Sequence, residues 1–247
     1  MITTRRQVLA ASVVPVAVLA SLLAGAPSAS AAPATTVAAA PAVAAAPAAA
    51  GTLRPGSKGK AVLAAQKRLA ALGYWLGEPD GVYGPATAHA VTALQKVAGL
   101  ARDGVLGPKT ARALAAGTKP RAVSTKGDVI EVDLAHQVLL VVHKGTVRQI
   151  LDASTGSGAY YTVNGVRKHA VTPKGTYRVY RAVDGWDPGP LGQLYRPRYF
   201  NGGIAVHGYP SVPSTPASHG CVRVTLGAMD HLWADGLLPI GRRVLVR

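Results

Sequence analysis

The hydrophobic period of this chain changes once, near residue 127, and that change constrains the fold more than any other feature. Upstream of it, DGVYGPATAHAV from Asp80 recurs 23 residues later as DGVLGPKTARAL from Asp103. Each copy carries an Asp-Gly turn, a Gly-Pro step, a Thr placed to cap a helix, and then apolar positions at helical spacing, such as Ala90, Val91 and Leu94. An earlier helix is marked by Val62, Leu63, Gln66, Leu69 and Leu72 and is ended by Gly73. The expectation over residues 52–117 is a small three-helix bundle. Downstream, VIEVDL, VLLVVH and TVRQILDAS, separated by AHQ and Lys144-Gly145, read as a meander of hairpins. TPKGTYRVYRAV, GGIAVHG and RRVLVR supply further strands, and only Leu226 to Leu237 invites a helix. Residues 127–247 are therefore expected to form a mostly-β domain, a sandwich or barrel-like sheet, joined to the bundle by a polar linker over 118–126. YYTVNGVRKHAV is expected as a loop bordering a cleft. A length of 247 residues leaves room for two domains of this size.

The first fifty positions are different in kind. Residues 1–31 carry Arg5 and Arg6, an apolar stretch from Val8 to Gly25 and a small-residue Ala29-Ser30-Ala31 step, the layout of an export signal cleaved after Ala31. TTRRQVL resembles a twin-arginine context. Residues 32–51 are rich in Ala and Pro and carry no charge, which suits a tether. Membrane contact is expected only through an uncleaved signal.

Export sharpens the meaning of Cys221, the only cysteine in the chain. A single cysteine cannot form an internal bridge, so in a secreted protein it is free, capped or intermolecular. Its surroundings, IAVHGYPSVPSTPASHGCVRV, point to nucleophilic work. A thiol needs a nearby base or a field favouring the anion, and two histidines are at hand: His219 two residues before, and His207 fourteen before across a Pro/Ser-rich loop. Gly220 leaves backbone N–H groups open to an approaching carbonyl, as an oxyanion hole requires. His207 arrives from a separate strand and can point across at the sulfur, with the Gly208 carbonyl available to its other ring nitrogen. Arg223 shares the face of Cys221 in an extended backbone, Ser218 is placed to orient the turn, and Tyr199 to line the cleft. His169 and Arg167 read as solvated, and His136, His143 and His231 as surface or core residues.

SHGCVR with its upstream HG resembles the active-site signature of the L,D-transpeptidase (YkuD-type) catalytic domain. VDLAHQVLLVV, STGSG and TPKG match the same domain in order, so the resemblance spans roughly residues 127–247. It implies that Cys221 attacks an acyl donor, that His207 takes its proton, and that His219 to Cys221 supply the oxyanion hole. GSKG, LGY, DGVYG, LQ and GLARDGVLGPKT resemble the three-helix peptidoglycan-binding domain, with the turn residues Asp80, Tyr83 and Asp103, expected to be exposed, as candidate contacts. Together these imply peptidoglycan stem peptides and glycan as partners, an extracytoplasmic cell-wall location, a thioester acyl-enzyme forming 3→3 cross-links, and reactivity toward carbapenems. Water as acceptor would make the protein an L,D-carboxypeptidase. Deleting an independent anchor of this kind should spare activity on short soluble peptides.

Two other readings of the same residues stay open at this point: a zinc hydrolase ligated by His207, His219 and Cys221, which lacks HExxH and a paired acid, and a non-catalytic wall binder. The net charge of +16 is dispersed and suits a polyanionic or acidic surface. Nucleic acid is not expected, because aromatics make up only 5% and show no base-stacking pattern. No cofactor and no metal are expected, and the sequence assigns no oligomeric state.

Overall fold

The computed structural model describes residues 51–247. The export signal and nearly all of the tether lie outside the described residues. No helix among the described residues is long and apolar enough to cross a membrane.

Three helices come first, α1 (Lys60–Ala71), α2 (Pro85–Val97) and α3 (Pro108–Ala115). Their starts differ from the expectation. Gly84 and Gly107 occupy the cap positions with Pro85 and Pro108 at the first helical turn, where a missing N–H costs nothing. Thr87 and Thr110 lie inside the helices, buried, and do not cap them. Each instead accepts a hydrogen bond from a glutamine amide. Gln66 Nε2 donates to Asp80 Oδ1 (2.9 Å), Val82 O (3.0 Å) and Thr87 Oγ1 (2.9 Å), while its Oε1 accepts from the Gly81 amide (2.7 Å). Gln95 repeats this with Asp103 Oδ1, Val105 O, Thr110 Oγ1 and the Gly104 amide. The sequence repeat is thus a repeated polar lock between a helix and the Asp-Gly turn that follows it.

Strands β1 (Asp128–Asp133), β2 (Val138–His143) and β3 (Thr146–Asp152) form the expected meander. With β6 (Gly175–Arg178) and β12 (Arg243–Val246) they make one sheet in the order β3-β2-β1-β12-β6, in which β1 and β12 run parallel. A second sheet has the order β11-β10-β9-β7, with β8 added to β9. Its strands are β7 (Arg181–Ala182), β8 (Trp186–Gly189), β9 (Gly192–Asn201), β10 (Ile204–Gly208) and β11 (Val222–Val224). Helix α4 (Leu226–Ala234) packs beside it, capped by the Thr225 side chain. YYTVNGVRKH is not a loop: it is a hairpin of β4 (Tyr160–Val163) and β5 (Val166–His169). Positive φ at Asn164 and Gly165 makes the tight turn that such a hairpin requires.

The first sheet is buried on both faces. Ile130, Val132, Leu139, Leu151, Val244 and Val246 face Phe200, Val206, Val222 and Val224 of the second sheet and Met229 and Leu232 of α4. The alternate residues Val129, Val138, Leu140, Val142, Val147 and Ile150 join Val62, Leu69, Tyr74, Val91 and Leu94 of the helical module. This two-sided burial is why VLLVV is a continuous apolar run. The LGY segment extends the sheet edge, with Ile150 N donating to Gly73 O (2.7 Å) and Trp75 N to Ile150 O (3.0 Å). A side chain at Gly73 would meet the Arg148 carbonyl at 2.8 Å. The linker is tied down as well, since the buried Glu131 carboxylate accepts from the Val123 and Ser124 amides and from Arg247.

Candidate active site

Strands β10 and β11 run side by side in parallel, with Val206 opposite Val222 and His207 opposite Arg223. Because side chains alternate along a strand, Val206, Val222 and Val224 point into the core while His207, Arg223 and Cys221, just ahead of β11, share the other face. His207 and Cys221 are diagonal neighbours on that face. Tyr199 of β9 pairs with Ala205 and belongs to the same face. The turn from Ser218 to Cys221 and the Pro/Ser-rich loop before it close the distance of fourteen residues between the two (207 to 221).

His207 is 3% exposed, and its Nδ1 donates to the Gly208 carbonyl at 2.9 Å. A carbonyl can only accept, so in the neutral ring the other nitrogen, Nε2, carries the lone pair. Burial pushes the imidazole down to about 4, against the opposing pull of the Gly208 bond and with a smaller push from Arg223. Burial likewise raises the Cys221 thiol above its ordinary value, opposed by the Ala205 amide and Arg223. Both groups are therefore neutral at pH 7: a thiol and an unprotonated base, not a preformed ion pair. The sulfur lies 3.7 Å from the Gly203 carbonyl.

Glycines 208 and 220 serve the scaffold in ways the sequence did not suggest. A Cβ on Gly208 would come within 2.8 Å of the Tyr195 ring and 3.1 Å of Met229 Cβ, so its absence lets α4 pack under the histidine strand. Gly220 has φ +134°, and a Cβ there would sit 2.9 Å from the Val171 carbonyl. The carbonyl that approaches Gly220 thus belongs to the protein itself, and its amide is already spent on Ser218 Oγ (3.0 Å). Ser218 also donates to Cys221 O (2.6 Å), which makes it the brace of the turn.

Several residues that fix the turn carried no signal of their own. Thr172 Oγ1 donates to Gly220 O (2.7 Å) and accepts from the Gly156 amide (3.0 Å). The Ser154 and Arg223 backbones exchange two hydrogen bonds, and Thr155 O accepts from the Ala217 and Ser218 amides. Gln137 in turn holds Thr155 through its side-chain amide (2.8 Å). Gly156 is obligatory, because a Cβ would come within 2.4 Å of the Ala170 carbonyl. STGSG and TPKG matched as strings; in space they are the cradle of the cysteine turn.

Cys221 opens onto a cleft of about 580 Å³ bordered by His219, Tyr161, Lys168, His169, Tyr199 and the Pro188–Leu191 loop. His219 is exposed and meets the Tyr161 ring edge-on at 4.6 Å. Tyr199 donates to Asp187 (2.8 Å), which also pairs with Arg181, and burial with that bond raises its hydroxyl to about 12. His169 lines the rim, with Nε2 at 2.7 Å from Gly158 O, and Arg167 stacks over Tyr160. Arg223 does not line the cleft, and among the described residues it has no acidic partner; its guanidinium lies over the Tyr209 ring at 4.3 Å. His136 and His143 pair with Asp133 and Asp128, and His231 bonds Gln149.

In the helical module, Tyr83 is buried, not exposed, because its hydroxyl closes the second turn by donating to Gly104 O (2.7 Å). Asp80 and Asp103 are exposed, with one oxygen each committed to the glutamine lock. The Gln66 amide holds the Asp80 carboxyl below its usual range, and the Val105 amide does the same for Asp103. A groove of about 550 Å³ runs beside the second lock, bordered by Leu100, Asp103, Lys109 and Arg112. Among the described residues no three His, Cys, Asp or Glu side chains converge as metal ligands, so His207, His219 and Cys221 are not gathered as a zinc site.

Residues 58–114 match the peptidoglycan binding domain family, and residues 127–246 the L,D-transpeptidase catalytic domain. The chain is 50% identical to an L,D-transpeptidase of Xylanimonas cellulosilytica, over 79% of this chain and 97% of that one, with a TM-score of 0.77. An L,D-transpeptidase of Stackebrandtia nassauensis is 23% identical over 79% of this chain and 97% of its own, with a TM-score of 0.46. The N-acetylmuramoyl-L-alanine amidase CwlL of Bacillus licheniformis is 35% identical over 152 residues, 51% of this chain, and this chain spans 42% of that protein's length. The chain, a mostly-β domain with a thiol and a neutral imidazole on one sheet face behind a helical module that matches the peptidoglycan binding domain, therefore belongs to the L,D-transpeptidase family.

Proposed function

We propose that this protein is a secreted cell-wall acyltransferase in which Cys221 is the nucleophile and His207 the base. The observation that carries the reading is the placement of both groups on one face of β10 and β11, with the His207 tautomer set by Gly208 and the thiol opening onto the cleft. Cys221 Sγ attacks the carbonyl of the third stem-peptide residue while its proton passes to His207 Nε2. A C–S bond forms, the peptide C–N bond breaks, and the proton leaves with the terminal D-alanine amine. An amine from a neighbouring stem then attacks the thioester, restoring the thiol and leaving a 3→3 cross-link. Of the four amides from Ser218 to Cys221, Ser218 and Gly220 are engaged within the protein, which leaves His219 and Cys221 to receive the oxyanion. Among the described residues that line the cleft, Lys168 is the cation available to a substrate carboxylate, since Arg181 is paired with Asp187. The groove beside Asp103 is the proposed glycan contact of the helical module.

Intact-mass analysis after exposure to a carbapenem tests the nucleophile. One covalent adduct is expected, absent in Cys221→Ala, together with loss of turnover on muropeptide donors. Turnover retained by Cys221→Ala would overturn the reading. Product analysis separates the acceptors: a cross-linked dimer reports transfer to an amine, and a shortened stem alone reports an L,D-carboxypeptidase.

A further inference from the structure

Lys96 stands on α2 in the helical module, yet its ammonium is withdrawn from solvent and works entirely in the other domain. It donates to Asp152 Oδ1 (2.6 Å), Ala153 O (2.7 Å) and Gln137 O (3.1 Å). An ammonium has three protons, and all three are used. Asp152 is bound on its other oxygen by His89 of the same helix (2.7 Å). A buried ion pair is a poor way to gain stability compared with apolar packing, so its presence in an otherwise apolar contact calls for another role.

The acceptors indicate that role. Asp152 ends β3 and runs directly into Ala153, Ser154 and Thr155, the segment whose backbone holds Arg223, Ala217 and Ser218. Gln137, whose carbonyl Lys96 also binds, is the residue that grips Thr155 by its side chain. A single ammonium thus fixes two of the supports of the cysteine turn, the Ser154–Thr155 segment and Gln137. The module touches the site a second time: Arg102, next to Asp103, donates to Ser214 O (3.0 Å) in the loop leading to the turn, and Ser154 Oγ holds the next carbonyl, Thr215 O (2.8 Å).

We propose that Lys96 and Arg102 are positioning residues for Cys221, so that the helical module is a working part of the catalytic unit as well as its anchor. The proposal rests on Cys221 being the nucleophile, and its test uses a readout independent of the natural substrate. Iodoacetamide alkylation of Cys221 at pH 7 would be followed by intact mass in full-length Lys96→Met, Arg102→Ala and Arg102→Lys, well below each melting transition, beside kcat and KM on a stem-peptide donor. Misplacement of a nucleophile lowers kcat more than affinity, so Lys96→Met is expected to lose about tenfold in kcat with KM little changed, and to alkylate more slowly. Arg102→Ala should show a smaller loss of the same kind, restored by Arg102→Lys, which can still donate to Ser214 O. Wild-type alkylation and kcat in folded Lys96→Met and in Arg102→Ala would overturn the proposal, as would a loss in Arg102→Ala that Arg102→Lys fails to restore. Where Lys96→Met does not fold, the Arg102 pair decides alone. Normal alkylation kinetics without donor turnover in the wild-type protein would count against the proposed substrate and leave this test readable.

Discussion

At the scale of single residues, the resting state of the site is set by burial. Cys221 and His207 both lose solvation, and each is driven toward its neutral form. The imidazole value of about 4 lies well below an ordinary histidine, so the base stays unprotonated through the whole neutral range. The acidic limb of acyl transfer is therefore expected near pH 4, not near 6.5. His207→Ala should lower kcat by roughly 10²- to 10⁴-fold and slow Cys221 alkylation at pH 7. Stability follows from the same shift. The unfolded chain binds the His207 proton below about 6.5 and the folded chain only below about 4, so the contribution is complete above pH 6.5 and is lost as pH falls toward 4. The loss amounts to about 3 kcal/mol, and thermal melts between pH 7 and 4.5 should fall more steeply in the wild type than in His207→Ala. Parallel slopes would show that the histidine is not held neutral by the fold.

At the scale of elements, the turn that carries Cys221 is held from outside its own segment. Thr172 is the sharpest case, since one hydroxyl bonds both Gly220 O and the Gly156 amide. Thr172→Val keeps the shape and strands both partners, which should cost about 1–3 kcal/mol. A melting temperature lowered by several degrees and a slower carbapenem acylation are expected together. An unchanged acylation rate would mean that the turn keeps its geometry without this bond. The neighbouring hairpins show where local signals mislead. Asn164-Gly165 is a strong hairpin turn, but none of the flanking residues from Tyr160 to His169 is fully buried and β5 is exposed throughout, so YYTVNGVRKH lacks the apolar alternation of a core strand and reads as loop. Strand β8 contains Pro188 and Gly189, residues that argue against a strand except at an edge, and an edge is where it lies.

At the scale of the whole molecule, the helical module and the first sheet share one core. Val129, Val138, Leu140, Val142, Val147 and Ile150 are buried against helices α1 and α2 and the LGY segment. At about 1.5–3 kcal/mol each, uncovering these side chains would cost on the order of the net stability of an entire domain. Deleting residues 53–117 is therefore expected to yield aggregated or unfolded protein, in contrast to the independent anchor that a modular reading of the sequence suggests. Soluble, active protein after that deletion would show that the shared core is dispensable. Sacculus binding by the intact chain should weaken with salt, because the net charge of +16 is carried by lysines and arginines dispersed along the sequence.

The sequence alone determined what depends on local pattern and on chemistry at short range. The lone Cys221 in SHGC, the strand bearing His207, the Asp-Gly turns and the change of period at residue 127 are all written along the chain, because turns, strand alternation and helical spacing are set by near neighbours. Tertiary structure decided whatever depends on which surfaces meet. Only packing shows that Tyr83 is buried, that Gly220 makes room for Val171, and that Thr172 and Gln137 brace the cysteine turn. The same holds for Lys96, which reads as one more surface cation on a helix until the fold sets 56 residues of separation at 2.6 Å from Asp152. Burial of a charge is a property of the space around it, and no spacing along a chain encodes that space directly.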